Sequence, residues 1–416
     1  MSSFLSWRLT KWVRILAYAL LFIVSYHLFT RFTQPSTPSA PLVPSSTHET
    51  LGFPWYRQPH PHASHVNPYA QLNLTSSDRR ALQEKAVQKA HDLIQEPWGE
   101  TIKGLPGTKF TTQDAADAFR AQVDCWTRGQ WIQHDASSML PHFQDPVYGS
   151  CDRAFYKRHS SNEKRPALRY TWQPECALPH QLDRSQWCDA FKGRNILMVG
   201  DLVHFQLHDL FLDTLRDGPV VCFGELNCKD HSLCSKPDVN LRYLRNDVLS
   251  TVHRVDKAHG RPHMDIVEWP FLPGYIISKY DILILNRGPV AEDDGTFTRQ
   301  LINTMRTIRR VKPHALVIYR STSIGHPYCD EADRPLKKPL TDEERRQLPF
   351  GWSEVQRRNA IARSIVEASG GLFVDLAAVT DLRPDGHVGG QDCLRYCMPG
   401  PLDSWVHILY NVFVSL

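Results

Sequence analysis

From Asn195 onward, short apolar runs alternate with stretches whose apolar residues recur every three or four positions. Ile196–Val199 reads as a buried strand, and the residues after it place Val203, Leu207, Leu210 and Phe211 on one face of a helix. Further buried-strand runs are predicted at Val220–Phe223, Leu241–Leu244, Ile282–Leu285, Leu316–Tyr319 and Leu372–Val374. Two helices fall between the last three of these strands. One carries Phe297, Leu301, Met305 and Ile308 on its stripe, and the other runs from Ser353 to a stop at Gly370-Gly371. A final stripe of Trp405, Ile408, Leu409, Val412 and Phe413 begins behind Asp403, read as its cap. This alternation predicts an α/β fold with a mostly parallel sheet covered by helices on both faces. Ligands of such a sheet bind beyond the carboxyl ends of its strands.

Upstream the pattern is different. Leu82, Ala86, Ala90, Leu93 and Ile94 recur at helical spacing behind a Ser77/Asp78 cap signal, predicting a helix that links a stem to the domain. Cys125 to Pro179 is rich in Trp, Pro and Cys without a long periodic run, and reads as an irregular, disulfide-braced cap. Gln34 to Thr47 alternates Pro with hydroxyl residues and has nothing to bury, which predicts an extended stem. Trp12 to Phe29 is apolar except for Arg14, Ser25 and His27; Arg8, Lys11 and Arg14 mark its leading end and only Arg31 closely follows. That asymmetry predicts a single type II transmembrane anchor with a cytoplasmic N-terminus. The stretch is long for the core of a cleaved signal peptide, and no small-x-small site follows directly. The expected organisation is a tail at 1–11, an anchor at 12–30, a stem at 31–76, a linker helix region at 77–119, a Cys/Trp-rich cap subdomain at 120–190 and the α/β domain at 191–416.

Composition narrows the partners. The 416 residues carry a net charge of +4, part of it in the first fourteen residues, and no basic run suggests nucleic acid. All ten cysteines lie between Cys125 and Cys397, beyond the anchor, so disulfides in an oxidising compartment are expected. No CxxC pair occurs, so neither a zinc site nor another metal or cofactor is expected. Asn73-Leu74-Thr75 is a glycosylation sequon. Flat tryptophan faces suit sugar rings, but Trp172 and Trp405 read as packing residues.

The chemistry centres on NILMVGDLVHFQLHDLF, residues 195–211, which reads as a strand, a turn at Gly200-Asp201 and a helix. Residue 202 then sits at the sheet's carboxyl edge and at a helix N-terminus, where an attacking oxygen and its developing anion are stabilised. Three more segments accompany it in order: Trp172-Gln173-Pro174 with Cys176, Leu178 and Pro179 before the turn, then DILILNRG from Asp281 to Gly288, then QDCLRYCMPGPLDSW ending at Trp405. Together they resemble the trichome-birefringence-like, or PC-esterase, family of the GDSL/SGNH hydrolase-like group. YRSTSIGHPYC and RPDGHVGG are closest to fungal-type members. The resemblance covers roughly residues 120 to 416. It implies an SGNH-hydrolase-like sheet, Golgi anchoring and acetyl transfer to cell-wall polysaccharide. It also implies a Gly-Asp-Ser nucleophile, with acid and base from a C-terminal Asp-x-x-His.

Two of those three reacting positions are substituted. Gly200 and Asp201 are kept, but the nucleophile position is Leu202; Asp392 is kept, but the base position is Arg395. Leucine has no nucleophilic atom and arginine stays protonated, so neither runs an acyl-enzyme route. The family's oxyanion donors map onto Gly224 and Asn286. Arg287 and Arg395, if both face the cleft, would suit an acidic sugar or phosphate; alternatively Arg395 pairs with Asp392. A relocated site could draw on Ser321, Thr322, Ser323 and His326, on His204, or on His387. Two readings follow: a non-catalytic paralogue of a polysaccharide O-acetyltransferase that binds glycan or forms complexes, acting in glycan binding or in cell-wall or capsule polysaccharide modification, or an active O-acyltransferase or esterase with a relocated nucleophile and an acetyl donor as partner. A scaffold without glycan contact is a third.

Overall fold

The computed structural model describes residues 75–95, 102–134, 150–157, 160, 163–216, 225, 228–235, 238–253, 266–390 and 392–416. Contacts divide the chain between Glu49 and Thr50, and every described residue belongs to the second unit. The expected tail, anchor and stem, apart from Thr75 and Ser76 at its end, lie outside the described residues, as do Asn73, Val220–Phe223 and Gly224. Among the described residues no helix is long and apolar enough to cross a membrane.

Among the described residues, ten strands form three sheets. β1 (Gly129–Gln133) pairs antiparallel with β2 (Tyr170–Pro174), placing Trp131 opposite Trp172. The main sheet holds β3 (Ile196–Gly200), β4 (His231–Ser235), β5 (Asp238–Arg245), β6 (Ile282–Leu285), β7 (Leu316–Arg320) and β8 (Leu372–Val374) in the order β4-β5-β3-β6-β7-β8. All its pairings are parallel except that of β4 with β5. β9 (His387–Gly389) and β10 (Asp392–Tyr396) form a small antiparallel pair. The long helices are α1 (Ser76–Gln95), α2 (Gln113–Thr127), α3 (Arg184–Phe191), α4 (Leu202–Leu215), α5 (Asp294–Val311), α6 (Val355–Ala368) and α7 (Asp403–Ser415). The expected α/β sheet is present, with β6 and β8 at the predicted positions.

Strand periodicity explains the layering. Successive side chains of a strand face opposite sides, so Ile196 and Met198 join one core while Leu197 and Val199 join the other. The first core contains Trp126, Trp187, Phe211 and Trp405 from α2, α3, α4 and α7. The second contains Ile94, Met305 and Ile365 from α1, α5 and α6. The expected linker helix is thus a wall of the domain, with Ala90 and Ile94 fully buried. Its cap is Thr75 rather than Ser77 or Asp78: Asp78 N donates to Thr75 Oγ1 (3.2 Å) and Thr75 N to Asp78 Oδ2 (3.0 Å). Asp403 is likewise the first residue of α7, not its cap; Leu402 holds that position without a side-chain bond. There the carboxylate still complements the helix dipole.

The Cys/Trp-rich segment is more regular than expected. Thirty-six residues separate β1 from β2, so no short turn signals their pairing, and Trp126 and Trp172 share the sheet's first core. Disulfides join Cys125 to Cys176, Cys151 to Cys397, Cys188 to Cys234 and Cys329 to Cys393. Cys228 is disulfide-bonded as well. Cys393 lies in β10 and Cys397 follows it, so this strand is anchored covalently to two separate parts of the chain.

Candidate functional site

The site is built on the β3–α4 turn. Asp201 has an extended backbone and caps α4, its Oδ1 accepting from His204 N at 2.8 Å. Tyr243 Oη holds the turn from beneath, donating to Asp201 O (2.8 Å) and Gly200 O (3.1 Å). Glycine at 200 is a steric requirement: a Cβ there would lie 2.8 Å from both Cβ and Cγ of His204. Gly200→Ala is therefore expected to lower stability by about 1–3 kcal/mol through overpacking. Chemical denaturation checks this, and an unchanged midpoint would refute it.

Arg320, at the end of β7, binds this turn from the other side. Its Nη2 donates to Asp201 Oδ1 (2.9 Å) and its Nε to His204 Nδ1 (3.3 Å). His204 Nδ1 is thereby the acceptor, and Nε2–H donates to Ile284 O at 3.0 Å. Burial, reinforced by the Arg320 charge, holds the His204 imidazole well below its ordinary pKa. It is neutral, and its basic nitrogen is already engaged. Burial pushes the Asp201 carboxyl up, against the opposing pull of Arg320.

Leu202 is the first residue of α4 and is half-buried. One turn further, Gln206 fixes β10: its Nε2 donates to Tyr396 O (2.6 Å), and Tyr396 N donates to its Oε1 (2.9 Å). This two-bond clamp ties α4 to the end of β10. Arg395 Nε donates to Asp392 Oδ2 (2.6 Å), its backbone N to Asp392 Oδ1 (3.0 Å), and its Nη1 to Glu225 Oε1 (2.8 Å). A carboxylate that would orient a histidine in an acid–base triad here grips a guanidinium.

The expected cationic cleft does not form. Two carboxylates match Arg395, and Arg287 turns into the protein. The Arg287 side chain is fully buried, donating to Val248 O, to Glu292 Oε1 and Oε2 (2.6 and 2.8 Å) and to Gln300 Oε1 (2.9 Å). Asn286 is also fully buried, and its amide joins strand ends: Nδ2 lies 3.3 Å from Arg320 O and 3.4 Å from Thr322 Oγ1, and Oδ1 is 3.5 Å from Asp201 N.

The candidates for a relocated site are engaged elsewhere. Ser321 Oγ accepts from Ala377 N (2.7 Å), Thr322 Oγ1 donates to Arg287 O (2.6 Å), and Ser323 Oγ lies 3.3 Å from Thr380 Oγ1. His326 Nδ1 and His387 Nε2 are 2.6 Å apart, with outer nitrogens against Asp381 O (3.0 Å) and Arg395 O (3.2 Å). Trp172 donates to Trp126 O, and Trp405 lies beneath the Arg320 guanidinium, so both pack rather than face solvent. His208, Cys228 and His231 have the spacing of metal ligands, but Cys228 is in a disulfide and offers no thiolate. Arg320, Gln206 and Glu225 were not evident as site residues from sequence. For Arg320 the available signal is a charged residue ending an otherwise apolar strand.

Residues 291–412 match PC-Esterase, a GDSL/SGNH-like acyl-esterase family found in Pmr5 and Cas1p. Protein trichome birefringence-like 42 of Arabidopsis thaliana is 22% identical over 345 residues, covering 69% of this chain and 88% of that protein. Protein trichome birefringence-like 12 of the same plant is 22% identical over 306 residues, 59% of this chain and 74% of the relative. Its xyloglucan O-acetyltransferase 1 is 20% identical over 365 residues, with 72% and 83% covered.

Proposed function

We propose that this chain, a member of the PC-esterase and trichome birefringence-like relatives, is a polysaccharide O-acetyltransferase-like protein that has lost acetyl transfer and acts by binding glycan. The observation that carries the reading is the Arg395 guanidinium held between Asp392 and Glu225, at the end of the molecule where Leu202 begins α4. Attack on an acyl donor needs an oxygen or sulfur nucleophile and a base with a free lone pair. Leucine supplies no such atom, and arginine has donors only. Kinship with a xyloglucan O-acetyltransferase supports polysaccharide of the cell wall or capsule as the ligand class. The disulfides support an oxidising lumen, and the apolar stretch at 12–30 supports a type II anchor in the Golgi membrane.

The test compares the purified full-length chain with a Leu202→Ser/Arg395→His double variant, each incubated with an acetyl donor and cell-wall oligosaccharides. The unaltered chain is expected to match the protein-free background, and the double variant to exceed it. Turnover by the unaltered chain would overturn the loss of catalysis and revive the relocated-nucleophile reading.

A further inference from the structure

A cleft of about 890 Å³ opens between α1, α2, α6 and the segment that follows β8. It shares no residue with the Leu202/Arg395 centre. Its size lies within the range of small-ligand sites, which are roughly 300–1,000 Å³. It exists because α1 packs across α6, so a helix outside the parallel sheet's own repeat supplies one wall.

The lining is mixed in a particular way. Ile324, Leu340 and Phe373 give an apolar surface, while Gln83, Gln356 and Ser364 add neutral polar groups from two helices. Asp375 directly follows β8, and Asp381 lies six residues further on. Asp381 accepts from Ile324 N at 3.0 Å. Burial pushes both carboxyls up, Asp381 well above its ordinary range, and the charge of Asp375 adds to the effect on Asp381. A carboxyl that keeps its proton can donate to a hydroxyl oxygen as well as accept. Arg120 and Arg345 also line the cleft, and each has a buried Nε–H without a protein acceptor among the described residues. Arg120 is more than nine-tenths buried, so water reaches that donor poorly.

We propose that this cleft is a second ligand site, one that binds a short neutral oligosaccharide. Its five carboxyls outnumber its three arginines, Arg120, Arg345 and Arg363, which disfavours an anionic ligand, and burial pushes two of those carboxyls, Asp375 and Asp381, towards the neutral form, which disfavours a strongly cationic one. Amides, a hydroxyl and carboxyls set around an apolar surface match a ring with hydroxyls at its rim and C–H groups on its face. The ligand class rests on the glycan reading given above; the location does not.

The experiment is calorimetric titration of the full-length chain with neutral gluco- and xylo-oligosaccharides. Ser364→Trp, which fills the cleft from α6, is expected to weaken binding by at least about tenfold. Gln356→Ala, a milder change on the same wall, is expected to weaken it about two- to tenfold, the effect of one lost hydrogen bond. Gln356→Ala keeps the test decisive if the tryptophan variant fails to fold, since its thermal melt should match the unaltered chain. Arg395→Ala separates the two centres. Binding lost in Arg395→Ala but kept in both cleft variants overturns the cleft and leaves the glycan reading standing. No binding of either oligosaccharide series by the unaltered chain also overturns this proposal, while the acetyl-transfer comparison still decides the other.

Discussion

Arg320→Met is expected to destabilise the protein by about 3–5 kcal/mol, because it removes one partner of a buried ion pair and leaves the other charged or forces it neutral. Arg320 is 1% exposed and binds two residues of the β3–α4 turn, Asp201 and His204. It donates to Asp201 Oδ1, to His204 Nδ1 and to Ser321 O (2.9 Å), and its guanidinium lies 4.9 Å from the Trp405 ring centre. Methionine retains much of the packing volume, so the loss reports on the polar network rather than on a cavity. The partner variant is Asp201→Asn, which keeps a capping side chain on α4 and removes its charge. Combined with Arg320→Met it is expected to recover at least about 1.5 kcal/mol of the summed single losses, as coupled neighbours do. Denaturant unfolding of the four proteins, with disulfides intact, measures this. Strictly additive losses would show that the pair is not coupled and that Asp201 is not held by Arg320.

Acid should weaken the protein through His208, with His208→Phe as the comparison. The ring is fully buried, stacked on Phe205 (5.7 Å between centres) and tilted against Tyr243 (5.7 Å) and His231 (5.9 Å). Neither ring nitrogen has a hydrogen-bond partner among the described residues, and Asp209 Oδ1 is 3.5 Å from Nδ1. Burial, helped by the neighbouring His231, pushes the imidazole down to about 3. In the unfolded chain the same group takes a proton near its ordinary value of about 6.5. Below that pH the unfolded state binds one more proton than the folded state, so stability falls as pH drops from about 6.5 towards 3. Above it both states are neutral and His208 contributes no slope. At about 1.4 kcal/mol per pH unit, the loss between pH 7 and pH 4 is roughly 3 kcal/mol.

Other buried groups act in the same window, and the variant isolates one of them. His326, pushed down by burial to about 4, and His387, also lowered, add to the acid loss. Asp201, Asp375 and Asp381 oppose it, because burial raises them and the folded state takes their protons first. The stability difference between His208→Phe and the unaltered chain is therefore the quantity to follow. It is expected to grow by about 3 kcal/mol from pH 7 to pH 4. Parallel stability curves for the two proteins would refute the assignment.

The central strands were legible because a parallel sheet covered on both faces needs continuous apolar runs. ILIL in β6 and LFV in β8 are such runs, bounded where the chain turns polar. β4 was not legible: HSLCS is a short edge strand, antiparallel to β5, and a register shift between Ser232 and Cys234 breaks its alternation of buried and exposed residues. Arg287 was misplaced for a related reason. Asn286 and Arg287 follow β6 in succession and are both fully buried, but they meet different neighbours. Asn286 turns to β7 and the Asp201 turn, while Arg287 turns to Glu292 and Gln300. Sequence order does not say which side of a strand end a long side chain takes.

At Leu202 and Arg395 the division is sharper. The sequence alone determined that position 202 holds no nucleophilic atom and position 395 no free base, because that is a matter of which atoms the side chains contain. Only the tertiary structure decided what stands in their place. Arg395 meets Asp392 three residues away and Glu225 at a separation of 170 residues, and Gln206 joins the helix behind Leu202 to Tyr396 across 190. Contacts over such distances depend on the path of the whole chain and on its disulfides. Side-chain chemistry is written residue by residue; a guanidinium matched by carboxylates from two distant segments is a property of the fold.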